Sequence, residues 1–201
     1  RRDFVDINNK FKNTKSQFIY KSGLLSGYIA HRLDNNQNVK RYLYYNTINP
    51  LGDKGLGLDG KIIAQSDVEK SLIDIQIFDG MFNEYMEELH HPQIYIHTYN
   101  GMNYNDWGEI YISINILIPR QFEHLSNFGE KRSFAIASEV EDMFQGICVA
   151  EDNAEEFVID KLGNVKFKII RFDNGRLSKT NNIITQTVII KAGVSTTRLD
   201  K

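Results

Sequence analysis

The stretch "GEIYISINILIPR", residues 108–120, decides the fold. Ile110, Ile112, Ile114, Ile116 and Ile118 fall at every second position, with Tyr111, Ser113, Asn115 and Leu117 between them. Successive side chains of an extended chain point to opposite faces. The pattern therefore predicts a strand with one buried face and one more polar face. At about 3.4 Å per residue it spans roughly 30 Å, against about 5–6 residues for a usual strand. Part of it is expected to reach beyond its own sheet.

Downstream, after the loop "PRQFEHLSNFG", the period changes. Ile136, Val140, Met143, Phe144 and Ile147 recur at three- and four-residue steps, the stripe of an amphipathic helix. Asn127 with Glu130 three residues on resembles a capping box at its start, and Gly146 suits its C-terminal cap. "FVID" (157–160), "NVKFKIIRF" (164–172) and "NIITQTVIIK" (182–191) then predict strands. Leu162-Gly163-Asn164 and Asp173-Asn174-Gly175 stand between them as turn signals.

Upstream, "PQIYIHTYNG" (92–101) predicts a short strand. "LIDIQIF" (72–78) predicts another, through Ile73, Ile75 and Ile77. "GMFNEYMEEL" (80–89) predicts a short helix ended by His91-Pro92. Leu25, Ile29 and Leu33 place a helix face in "GLLSGYIAHRL" (23–33), although Gly23 and Gly27 each weaken it by about 1 kcal/mol. "NNQNVKRYLYYN" (35–46) fits either a second helix, using Val39 and Leu43, or a strand. Residues 46–66 predict a long loop. The expected class is α+β: a mixed or antiparallel sheet packed against one long amphipathic helix, with a partly helical N-terminal extension. The expected organisation is that extension over residues 1–91 and an α+β core over 92–201.

The chain has 201 residues and a formal net charge of −2, which argues against a wholly basic nucleic-acid-binding domain. Its one cysteine, Cys148, allows no internal disulfide, which suits a reducing compartment. No apolar run approaches the roughly 20 residues needed to span a bilayer. The start "RRDFVDINNKF" is polar, with charges of both signs, unlike a secretory leader; as it lacks a methionine, the expectation is an initiator either removed or outside these residues.

"KGLGLDGKII" (54–63) matches two nucleotide motifs at once. Gly55, Gly57 and Gly60 fit G-x-G-x-x-G; Gly55, Gly60 and Lys61 fit the opening of a P-loop. Both motifs need a buried strand before and a helix start after, so that backbone N–H groups converge on phosphate. Here Asn49-Pro50-Leu51-Gly52-Asp53 precede, and Ile62 stands where the Mg²⁺-binding hydroxyl belongs. Asp53 and Asp59 lack the alternating ligands of a calcium loop. The bland expectation, a solvated loop that orders against a partner, is the better one. His31, His90, His91, His97 and His124 form no ligand motif; Glu87 with His90 is a single copy of a spacing that di-metal bundles use twice. Cys148 reads as a buried small side chain. Glu139, Glu141 and Asp142 read as the solvent face of the helix. Lys166, Lys168 and Arg171 alternate with apolar residues, as on an exposed sheet face or a surface facing DNA.

The run from "GEIYISINILIPR" through "KRSFAIASEVEDMFQG" to "NVKFKIIRFDNGRLSKTNNIITQTVIIK" resembles the tail terminator and related neck-ring (head-to-tail connector) proteins of tailed bacteriophages. The resemblance lies in a long strand, a loop, a helix carrying A-x-x-[IV]-x-x-[ML]-[FL] (Ala137, Val140, Met143, Phe144) and a closing antiparallel pair. It covers roughly residues 92–192. It implies a structural virion protein without cofactor, metal or catalytic residues. Such a protein is assembled in the host cytoplasm into a homo-oligomeric ring, a hexamer or dodecamer, beside portal, adaptor or tail proteins. Double-stranded DNA passes through the hole, and no membrane is involved. Gly55, Gly57, Gly60, Phe122 and Phe128 are the expected interface residues, on loops that reach neighbouring subunits or rings. Near-neutral charge suits a lumen in which DNA must slide. Three alternatives stand beside this: an adaptor ring of a short-tailed phage, a soluble nucleotide-binding enzyme using Gly55–Lys61, and a monomeric accessory protein of an assembly pathway.

Overall fold

Helix forms where apolar residues recur every three to four positions, strand where they recur every two. The computed structural model describes residues 16–83, 86, 88–104, 107–125, 129–147, 165–176 and 182–195. Its elements run α1 (Ser16–Asn35), α2 (Gln37–Tyr44), β1 (Lys54–Leu56), β2 (Ile62–Ala64), β3 (Ile77–Asp79), β4 (Gln93–Asn103), β5 (Trp107–Pro119), a 3-10 turn (Arg120–Phe122), α3 (Arg132–Phe144), β6 (Val165–Arg176) and β7 (Ile183–Ser195). The main sheet has five strands in the order β3-β4-β5-β7-β6. β3 lies parallel to β4 and the other pairs are antiparallel, so the sheet is mixed and the class is α+β.

β5 carries the fold. Ile110, Ile112, Ile114, Ile116 and Ile118 are all fully buried in one core cluster. On β4, β7 and β6 their neighbours are Ile94 and Ile96, Val188 and Ile190, and Val165 and Phe167. Two helices, rather than one long one, cover this face. α1, of 20 residues, packs on β3 and β4 through Leu25, Ile29 and Leu33; α3, of 13 residues, packs on β5, β6 and β7 through Ile136, Val140 and Phe144. That single core takes side chains from Leu25 to Val194. Burying each large aliphatic side chain contributes about 1.5–3 kcal/mol, which is why the isoleucine row dominates.

Several expectations are corrected. β5 does not run past its sheet: β7 pairs with it from Trp107 through Pro119. Of the two readings left open for residues 35–46, the helix is the one built: the Asn36 side chain accepts the Val39 N–H at 3.0 Å and caps α2, which ends at Tyr44, with Tyr45 extended. Most of "LIDIQIF" is a turn. Leu72 C=O accepts from the N–H groups of Ile75, Gln76 and Ile77, and Asp74 takes φ +59°, so a strand begins only at Ile77. The described residues of "GMFNEYMEEL" are not helical, and Glu87 lies outside them. Asp173-Asn174-Gly175 is no turn either; β6 continues through it to Arg176. Residues 46–66 are not plain loop, since they hold the β1–β2 hairpin. Asn127, Phe128, Cys148, "FVID" and Leu162-Gly163-Asn164 lie outside the described residues.

Each long edge of the sheet's central pair meets a bulge. The ladder shifts between Thr98 and Asn100 on β4, and between Ile169 and Arg171 on β6. Both shifts lie beside the Ile112–Ile190 rung of the central pair. An extra residue reverses the alternation beyond it. That is how Arg171, odd-numbered, shares a face with Lys166 and Lys168.

Candidate functional site

Two surfaces stand out, and the first is the hairpin. β1 and β2 pair at Lys54–Ala64, Gly55–Ile63 and Leu56–Ile62. The turn closes with Gly57 N–H on Lys61 C=O at 2.9 Å and Gly60 N–H on Gly57 C=O at 3.0 Å, with Gly60 at φ +76°, which favours glycine. Lys61 Nζ lies 3.1 Å from the Asp59 carboxylate. The Lys61 backbone N–H also bonds Asp59 and, with that ammonium, holds its carboxyl below the ordinary value. Ile62–Ala64 is a strand, so the strand–turn–helix geometry of a nucleotide loop is not built at 54–64. What the hairpin does present is apolar. Ile62 is 73% exposed and Leu58 60%, with Leu56 and Ile63 also exposed.

The base of this arm is held from several sides. Arg41 donates to Pro50 C=O at 3.1 Å and Gly52 C=O at 2.5 Å. Gln65 donates to Thr47 Oγ1 at 2.6 Å, beside Gly55, where any Cβ would collide with the Thr47 side chain. Below it Arg132 is fully buried, donating from Nε to Phe122 C=O at 2.8 Å, and from its two terminal nitrogens to the C=O groups of Tyr42, Tyr45 and Thr47 at 2.5, 2.6 and 2.5 Å. Burial lowers its pKa to about 10, with Glu123 and Tyr42 opposing. This guanidinium ties the end of α2, the root of the arm and the start of α3 into one unit. Glu123 completes it, accepting from Ser133 N–H at 3.2 Å and Ser133 Oγ at 2.5 Å and so capping the first turn of α3, whose N-cap position is Lys131.

The second surface is the sheet face turned away from the helices. One end of it is covered, where Leu117, Ile183 and Tyr95 pack with Phe82, Met86 and Leu89. The other end is open. Tyr99 and Trp107 are each 47% exposed, with Met102 and Tyr104 nearly so. Tyr104 and Trp107 stack at 4.3 Å, and the Tyr99 ring lies 6.3 Å from Tyr111. Lys191 Nζ bonds Glu109 at 2.7 Å, Tyr111 donates to the same carboxylate at 3.0 Å, and Arg171 bonds Asp173 at 2.7 Å. The hydrogen bonds from Lys191 and Tyr111 hold the Glu109 carboxyl below its ordinary value. Lys166 and Lys168 are exposed and make no ion pair among the described residues.

Of the residues singled out by sequence, Gly55, Gly57 and Gly60 come together in the arm. Phe122 is corrected: at 7% exposure it belongs to the core, so it is not a free loop side chain. Phe128 lies outside the described residues. Leu58, Ile62 and Trp107 were missed, though an apolar side chain beside a glycine turn is a readable signal. Among the described residues no group of His, Cys, Asp and Glu is placed to hold a metal, and no helix is long and apolar enough to cross a membrane.

No curated protein matches the chain. A family model described as YomW matches residues 36–170, from the α2 cap through the arm, β4, β5 and α3 into β6. That span is well over half of the 201 residues, so the chain belongs to the YomW family, a phage-derived family from an SPbeta-like prophage of Bacillus.

Proposed function

We propose that the chain is a structural virion protein, a ring subunit at the phage neck or tail end through which double-stranded DNA passes. The observation that carries this is the arm: an apolar tip on a base clamped by buried hydrogen bonds. A monomer gains nothing from holding Leu58 and Ile62 in water, whereas a subunit that docks on its neighbour buries them. Clamping the base beforehand reduces the ordering cost of docking. Phage ancestry and the resemblance to tail-terminator and neck-ring proteins supply the setting, and one heterologous contact repeated about an axis closes a ring. In this role the subunit is a hexamer or dodecamer beside portal, adaptor or tail proteins, and it carries no cofactor or chemistry.

Electron microscopy of the mature particle with this chain labelled tests the proposal. Several symmetric copies around the DNA axis are expected. The double variant Leu58→Ser, Ile62→Ser should fold normally, yet leave particles without the ring. A particle that lacks the chain, or holds one asymmetric copy, overturns the proposal.

A further inference from the structure

The open end of the sheet face carries a different kind of surface from the arm. Its rungs run across four strands. One rung places Lys166 (β6), Gly193 (β7), Glu109 (β5) and Met102 (β4) side by side; the next places Lys168, Lys191, Tyr111 and Asn100, with Tyr99 the extra residue of the bulge, its ring 6.3 Å from that of Tyr111. Cations thus occupy the β6 edge and aromatic rings the β4–β5 side. At Gly193 the strand between them has no side chain, and a Cβ there would meet only Lys166 C=O, at 3.8 Å. The face is shallow between the two rows. Strands sit about 4.8 Å apart, so the lysines lie roughly 10 Å from Trp107 and Tyr111 on β5 and roughly 14 Å from Tyr99 on β4.

We propose that this face binds single-stranded nucleic acid, with backbone phosphates on Lys166 and Lys168 and bases against Tyr99, Tyr111 and Trp107. The charges favour an anion. The two carboxylates on the face are already bonded, Glu109 by Lys191 and Asp173 by Arg171, which leaves both lysines for phosphate. The rings favour exposed bases, because stacking on aromatic side chains needs base faces that a duplex hides. An acidic protein partner would satisfy the lysines and leave the rings unused. The inference does not depend on the ring, since it uses the sheet face and not the arm.

Trp107 is the chain's one tryptophan, so its fluorescence reports on this face directly. The full chain is titrated with a 20-nucleotide oligo(dT) at about 50 mM salt. Quenching is expected at micromolar protein, with affinity falling steeply as salt rises, by about 0.7 in the log–log slope per phosphate neutralised. A duplex of the same length should bind at least about tenfold more weakly. Lys166→Glu with Lys168→Glu should weaken oligo(dT) binding by tenfold or more without changing Tm. Tyr99→Ala should weaken it about tenfold, the size of one stacking contact. The proposal is overturned by an absence of quenching at low salt, by equal affinity for duplex, or by binding indifferent to the lysine pair. Quenching that grows with protein concentration alone also overturns it, since a second copy would then occupy the face.

Discussion

The two faces of β5 share one backbone and one set of ladder hydrogen bonds, yet they live in different solvents. On one face Ile110 through Ile118 have no exposure at all and meet α1 and α3 across the core. On the other, Trp107 is exposed, Glu109 is held in an ion pair and Tyr111 leans on it. The contrast teaches that the isoleucine row anchors this strand, while on the other face Leu117 and Asn115 are covered and only the end from Trp107 to Tyr111 is left for contact with something else. Neighbouring positions should therefore answer the same substitution differently. Ile114→Asp buries a carboxylate with no partner, and about 4–5 kcal/mol of stability should be lost. Ser113→Asp, one residue away on the half-buried face, should cost under about 1 kcal/mol. Urea unfolding of both variants checks this; equal losses would abolish the distinction between the faces.

A second contrast sets the buried charge of Arg132 against the exposed charges of the open face. Arg132→Leu leaves the carbonyls of Phe122, Tyr42, Tyr45 and Thr47 short of a donor, and should cost about 3 kcal/mol by thermal unfolding. A loss below about 1 kcal/mol would mean that water replaces the guanidinium. The smallest effect belongs to its neighbour. Burial pushes the Glu123 carboxyl above its ordinary value of 4.5, with the Ser133 hydrogen bonds opposing. The folded chain therefore binds a proton more tightly there than the unfolded chain does. This group's contribution is fully present below the ordinary value and falls as pH rises through the raised one. Glu123→Gln should flatten that part of the stability profile above pH about 4.5, measured as Tm against pH. An unchanged slope would show that the carboxylate is fully compensated in place.

Where a signal is local and periodic, the sequence carried it. Ile110–Ile118, the α1 face at Leu25, Ile29 and Leu33, the α3 stripe and Gly146, at φ +75° after the helix, were all legible. Where the deciding partner is distant, the signal was silent. Three of the acceptors of Arg132 lie 85 to 90 residues away, and a cation in the first turn of a helix runs against the helix dipole. Glu123 caps α3 from outside the helix, so no spacing rule points to it. "LIDIQIF" failed because alternation describes a strand and a tight turn equally well over so few residues. The motif match at 54–63 failed because it scores glycines without the elements on either side.

The bulges at Thr98/Asn100 and Ile169/Arg171 amount to a counting device. β4 and β6 each carry one residue more than the central strand beside them, and everything past that residue is written in the opposite parity. Removing a single codon at Tyr99 or Ile170 would close the ladder, leaving Asn100 opposite Tyr111 and Arg171 opposite Ile189 with every side chain beyond on the face it already has. The two bulges are therefore the places where the sheet can absorb a change in length, whereas a codon lost elsewhere in either strand, with the bulge kept, exchanges what faces the helices with what faces water.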